Sequence, residues 1–394
     1  MKHAVVVVLT FLLTLAATGC SDEPKPPFEF FDACAPDQVP DATCYADKRD
    51  PTSADVTLAT EIAHRYITEH PADTMAWNWE EGVLMYAMTE LYRVTGDATI
   101  RNYYKAYIDH HISEGYGISV SDSCPPAIAA IALYAETGEQ KYKDIVDEVL
   151  LYLYELAART EEGGINHLGA LEGLVTLWVD SLFMFGMVLN RWGEFDGDKT
   201  ALAEMSDQMD IFGTLLQDPA SGLFTHAYAW PIDQDPNVYW GRGNSWIPPA
   251  AADYLRARAL RHESDPRAEE ILTDHLTGII ATQDSASGGW WTVMNRPGET
   301  YLETSATAFF GYGMARAYRY GFAGEEVRQP LAKALDYVRG SIVRDAMDRP
   351  FVSGISGPTT AGDFDNYANV EVEDDVSYGV GAAILILIES SGLP

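Results

Sequence analysis

Long segments in which apolar residues recur three and four positions apart run through almost the whole chain, and they constrain the fold more than any other feature. About twelve can be distinguished, starting near Thr52, Trp79, Ala98, Pro125, Lys141, Glu172, Lys199, Trp246, Pro266, Glu303, Gly324 and Val376. Short Gly, Asp or Pro punctuation separates them. The turn L-Y-R-V-T-G-D-A-T-I at 91–100 is echoed by L-Y-A-E-T-G-E-Q-K-Y at 133–142. In each, a helix stops at glycine and another starts at once, which describes a helical hairpin used more than once. Strand-like alternation is scarce, and only Gly288–Val293 and Pro350–Gly354 suggest short pairings. No Pro-, Gly- or Ser-rich linker divides the set. Twelve helices in hairpins, some apolar nearly all round, predict an all-α fold in which an outer ring wraps an inner one, an (α/α)6 barrel. A helical solenoid is disfavoured, because the repeats are too irregular for a consensus. In such a toroid the loops at one end line a cleft, and chemistry is to be sought there.

The first fifty residues read differently. A basic start, an apolar run from Ala4 to Ala17 and T-G-C at 18–20 describe a signal peptide over residues 1–19, since the run is too short to span a membrane. Cysteine directly after A-T-G resembles a bacterial lipobox, which makes Cys20 the expected site of lipidation. Residues 20–50, opening with S-D-E-P-K-P-P, read as an extended tether, and 51–394 as the catalytic domain. The expectation is an exported protein, lipid-anchored in the cell envelope at the outer membrane or in the periplasm. In an oxidising compartment Cys34 and Cys44 are expected to pair, leaving Cys124 as a free thiol. No cysteines or histidines stand at zinc-ligand spacing except His110 and His111, which point in different directions on a helix. No metal or cofactor is expected. The net charge of -33 should repel nucleic acid and anionic membranes. An anionic ligand would need a locally positive pocket, so each arginine or histidine near a site counts for more.

Two stretches carry the chemistry. V-Y-W-G-R-G-N-S-W at 238–246 reads as a loop holding two indoles, suited to sugar rings, around a guanidinium suited to a carboxylate. Asn244 or Ser245 is expected to cap the following helix, with Pro248 and Pro249 in its first turn. The loop would then sit at a helix N-terminus, which favours an anion. Packing of the aromatics against the core explains the same residues equally well. L-W-V-D-S-L-F-M-F-G-M-V-L at 177–189 is apolar on every face, as an inner-ring helix would be, yet carries Asp180 in its middle. An aspartate among Trp178, Leu182, Phe183 and Met184 either braces the helix or is a catalytic carboxyl with a raised pKa.

Together these stretches resemble the unsaturated glycuronyl hydrolases of glycoside hydrolase families 88 and 105. The likeness runs from about Trp77 to the C-terminus and is carried by W-N-W-E-E-G-V-L at 77–84, S-D-S-C-P-P-A at 121–127, W-V-D-S-L-F-M at 178–184, W-G-R-G-N-S-W at 240–246, Y-L-E-T-S-A-T-A at 301–308 and S-Y-G-V-G-A at 377–382. The resemblance implies that Asp180 is the general acid/base and that Asp122 assists it. It also implies that His167, His226, Trp240, Arg242 and Trp246 bind substrate, an oligosaccharide ending in a 4,5-unsaturated uronic acid. The implied reaction is hydration of the C4=C5 double bond, with Asp180 neutral beforehand. An inverting glycosidase or sugar epimerase on the same toroid is an alternative, as is a lipid-anchored glycan-binding protein without turnover. Ulvan and rhamnogalacturonan are equally compatible as the parent polymer.

Overall fold

The computed structural model describes residues 49–393 except 171, 172, 233, 234 and 236. The expected signal peptide, Cys20, the Cys34–Cys44 pair and most of the tether lie outside the described residues. Twelve long helices follow one another: α1 (Ala54–Glu69), α2 (Trp79–Thr95), α3 (Ala98–Glu114), α4 (Ala127–Thr137), α5 (Gln140–Leu151), α6 (Gly186–Asp196), α7 (Lys199–Leu216), α8 (Ile247–Ala259), α9 (Pro266–Thr282), α10 (Thr304–Arg319), α11 (Arg328–Ser341) and α12 (Ser377–Ser390). The even-numbered helices each pack on the next, and α12 closes the ring on α2. The odd-numbered helices cover them from outside. This is the (α/α)6 barrel.

The two rings differ as their environments require. Among the fourteen residues of α12 only Ser390 is not buried. On α5 the buried residues are Tyr142, Ile145, Val146 and Val149, a single stripe at helical spacing. Inner helices approach closely where glycine meets proline. A Cβ on Gly82 of α2 would come within 2.6 Å of Pro125, and one on Gly313 of α10 within 2.3 Å of Pro248.

Connections alternate in length, and this places the cleft. Leaving an inner helix, the chain turns at once, as at Gly96 (φ 67°) and Gly138 (φ 69°), left-handed caps that close the two sequence echoes. Leaving an outer helix, it makes the longer excursions 115–126, 152–185, 217–246, 283–303 and 342–376. These gather at the N-terminal ends of the inner helices, which form the open end. Four two-stranded pairings lie within them: β1 (Leu177–Trp178) with β2 (Ala227–Tyr228), β3 (Trp290–Trp291) with β4 (Leu302–Glu303), β5 (Ile342–Arg344) with β6 (Pro350–Val352), and β7 (Ile355–Ser356) with β8 (Val372–Glu373).

One helix was misread from sequence. Glu172 is not among the described residues, and the chain through Asp180 is strand β1 followed by a bend, with a short turn Ser181–Met184 leading into α6. Asp180 therefore stands just before a helix, not within one. A short buried strand and a buried helix are both apolar on every face, so periodicity does not separate them.

The opposite end is sealed by charge. Arg191 on α6 and Arg316 on α10 both pair with Asp253 on α8, the first at 3.0 Å. Arg316 also reaches Glu389 on α12 at 3.1 Å, where Arg319 arrives at 2.7 Å and Arg49 at 2.6 Å. Arg49, assigned to the tether from sequence, is thus bound to the barrel.

Candidate active site

Backbone pairing in the long connections brings distant residues together at the open end. Leu177 pairs with Tyr228 and Trp178 with Ala227. The Val179 N–H donates to the His226 carbonyl at 2.9 Å, which sets Asp180 beside His226. On the other side the His167 N–H donates to Thr176 at 2.9 Å, and the Ser121 N–H donates to His167 at 3.0 Å. Asp122, in the short turn Ser121–Ser123, is thereby held next to His167.

Two aspartate–histidine pairs result, with Trp178 between them. Nε2 of His226 lies 3.2 Å from one oxygen of Asp180, and the Trp246 indole N–H donates to the other at 3.1 Å. Nε2 of His167 lies 3.7 Å from Asp122. Trp178 stacks on His167 with centroids 4.5 Å apart and meets His226 edge-on at 5.0 Å. Each imidazole is fixed from behind by a hydroxyl. Nδ1 of His226 is 3.0 Å from the hydroxyl of Tyr367, which itself accepts the Gly362 N–H at 3.1 Å. The tyrosine proton is then available for Nδ1, which leaves the ring proton on Nε2, the nitrogen nearer Asp180; the two approach as a close pair without the alignment of a hydrogen bond. Nδ1 of His167 is likewise 3.0 Å from Ser181, whose hydroxyl accepts from Ser121 at 3.0 Å.

Burial and charge separate the two carboxyls. Burial alone would push Asp180 up, but His226 beside it, with His167 and a backbone N–H, holds it below the usual carboxylate range. Burial likewise pushes His226 down, and this outweighs the pull of Asp180. In the free site Asp180 is therefore ionised beside a neutral imidazole. The sequence-level expectation of a raised pKa at Asp180 is corrected here, because it considered burial without the histidine. Asp122 moves the other way. Burial raises it, His167 offsets part of the rise, and the charge of Asp180 adds to it. Its side chain is 31% exposed, which makes it the more accessible of the two.

The 238–246 segment departs from the loop expected. Gly241–Ser245 is a helical turn, and Asn244 caps nothing; its amide instead ties Phe224 and Trp240 together. Trp246 is fully buried against Phe183 and Phe309, with its indole N–H on Asp180. Trp240, 2% exposed, stacks on His226 at 4.3 Å. Arg242 lies over Trp240 and Tyr378 and donates to the carbonyls of Ser356 and Gly357. Its guanidinium is inside the wall of the cleft, where it also reaches the Thr359 hydroxyl at 3.2 Å. Sequence reasoning missed Trp178, Ser181 and Tyr367 as parts of this site. Trp178 and Ser181 lay inside a quoted motif, but Tyr367 offered no local signal.

A family model described as Glycosyl Hydrolase Family 88 matches residues 56–393. The chain belongs to that family. This glycoside hydrolase is similar to the unsaturated rhamnogalacturonyl hydrolase YesR of Bacillus subtilis, 26% identical over 346 residues that cover 85% of this chain and 95% of that protein. It is also similar to the unsaturated 3S-rhamnoglycuronyl hydrolase of an Alteromonas species, 24% identical over 220 residues, 54% of this chain and 50% of that one. Among solved structures, a possible member of the GH105 family from Klebsiella pneumoniae superposes with a TM-score of 0.77 at 24% identity, covering 87% of this chain and 95% of the other. The family 88 hydrolase thus shares its toroid with that protein, and its two aspartate–histidine pairs stand at the end where the long connections meet.

Proposed function

We propose that this family 88 hydrolase removes a 4,5-unsaturated uronic acid from the non-reducing end of oligosaccharides left by a polysaccharide lyase. The single observation carrying this reading is the pair of aspartate–histidine couples flanking Trp178 at the open end. The unsaturated sugar is an enol ether. Protonation at C4 leaves a cation at C5 shared with the ring oxygen, and water adding at C5 gives a hemiketal that opens and releases the remaining sugar. One carboxyl group suffices to give the proton and then take one from water.

Asp180 fits that role once substrate is bound. Free, it is ionised, but a uronate brought within a few ångströms adds a second negative charge, and like charge raises proton affinity. Asp180 takes up a proton on binding, delivers it to C4, and as carboxylate orients the attacking water. Asp122 contributes its charge and a hydrogen bond. His167 and His226 supply polar contacts to the uronate, and Arg242 supplies a favourable field. We further propose that the enzyme is held in the cell envelope by a lipid on Cys20. The relatives include a rhamnogalacturonyl and a 3S-rhamnoglycuronyl hydrolase, so the sugar next to the uronate is the variable part of the substrate.

The test is loss of ultraviolet absorbance on incubation with lyase-generated disaccharides. Wild-type enzyme should bleach it and Asp180→Asn should not; cleavage of saturated glycosides without bleaching would point to an ordinary glycosidase. Binding with no turnover would mark a glycan-binding protein.

A further inference from the structure

The tryptophans around the two aspartate–histidine pairs differ in what they leave open. Trp246 and Trp240 are buried, and Trp178 is 8% exposed. Trp230 meets Trp178 edge-on, with centroids 5.0 Å apart and planes at 90°, and is only partly buried. Counted outward from Asp180 by contact, the order is His226, Trp178 and then Trp230. The ring is fixed from two sides. The chain leaves β2 through Ala229, whose φ of 56° puts a non-glycine residue in the left-handed region. Alanine disfavours that conformation and keeps it only where the surroundings enforce it. One residue later the Trp230 indole N–H donates to the Ala361 carbonyl at 3.1 Å.

That hydrogen bond decides what the ring can offer. Its one donor is used, so what remains for a ligand is an apolar face. The same bond gathers three of the long connections: Trp178 comes from 152–185, Trp230 from 217–246 and Ala361 from 342–376. Those connections also supply Asp180, His226 and Tyr367, so Trp230 belongs to the open end and not to the outer ring of helices. Its chain neighbours Ala229, Pro231 and Ile232 are exposed, which makes this the outer edge of the segment. A uronate at Asp180 is the last sugar of its oligosaccharide, and the rest of the substrate must lead from there to solvent. The ring order above runs the same way, from buried indole to open one.

We infer that Trp230 sets specificity for the sugar next to the uronate, receiving the C–H face of that ring on its indole. The inference rests on the uronate reading above and deepens it. A leaving group that carries a pyranose ring gains the contact, and one without a ring does not.

The experiment compares an unsaturated uronyl–rhamnose disaccharide with the methyl glycoside of the same unsaturated uronate, following kcat and KM by absorbance loss. Wild-type enzyme should prefer the disaccharide in kcat/KM. In Trp230→Ala that preference should shrink by roughly tenfold, through a higher KM for the disaccharide, while Trp230→Phe keeps most of it. A preference unmoved in Trp230→Ala overturns the inference. So does a fall in kcat shared equally by both substrates, which would reduce Trp230 to a prop for Trp178. A measurement that leaves Trp230 intact decides the matter even where these variants do not fold. With the disaccharide bound to Asp180→Asn, magnetisation transferred from the protein's aromatic protons should reach the C–H protons of the rhamnose, and its absence there overturns the inference. Turnover of neither substrate by wild-type enzyme defeats the uronate reading, and this one with it.

Discussion

Both ends of the barrel bury charge, but on different terms. At the closed end Glu389 meets Arg49, Arg316 and Arg319, and Asp253 meets Arg191 and Arg316, contributed by several inner helices at once. At the open end Asp180 meets one imidazole and one indole N–H. The first arrangement sets each carboxylate against two or three guanidinium groups. The second is under-compensated and gains when a ligand brings hydroxyls, a proton or water. Burial alone does not mark a functional acid; burial with too few partners does.

That contrast can be broken by substitution. Asp180→Asn should lower kcat by about a thousandfold or more while the melting temperature stays near wild type, because the amide oxygen still accepts from Trp246 but the amide has no acidic proton to transfer. A comparable loss of stability would place Asp180 with the bracing charges instead. Glu389→Ala should do the converse. Stripping a carboxylate from three guanidinium groups should cost about 3–5 kcal/mol in chemical denaturation, with the activity of the folded fraction little changed.

Acid sharpens the same comparison. The arginines around Glu389 outweigh its burial and hold it down at about 2, against an ordinary value of 4.5. A depressed carboxyl contributes stability that is fully present above pH 4.5 and is lost as pH falls toward 2, on the order of 3 kcal/mol in all. Denaturation midpoints measured across that window should fall steeply in wild type and more gently in Glu389→Gln. The smallest effect belongs to Tyr367→Phe. Without its hydroxyl, Nδ1 of His226 loses the group that fixes its tautomer, and kcat should fall about tenfold with KM within about twofold. An unchanged kcat and pH profile would reduce Tyr367 to packing.

The rings were legible in sequence because helix periodicity and glycine stops are local signals. The starts near Trp79, Ala98, Lys199 and Pro266 needed nothing from elsewhere in the chain. Asp180 and His226 stood out as chemistry, but their contact did not, since it depends on β1 pairing with β2 across about fifty residues of sequence. The charge state of Asp180 was misjudged for the same reason. Tryptophans 240 and 246 were identified as important without their direction, which is set by Phe309 on α10, by Tyr367 from the last connection and by His226 fourteen residues before Trp240. Tyr367 itself lies in the longest connection, where no repeat or motif pointed to it.

The Asp50 N–H donates to the Ser391 hydroxyl at 3.2 Å, so the described chain begins and finishes at the same pole of the barrel, the one sealed by Glu389. Asp50 and Ser391 thus stand together on the face turned away from the cleft. A support coupled directly at Arg49 would present the mouth outward. A fusion partner on the C-terminal side would leave that mouth equally unobstructed.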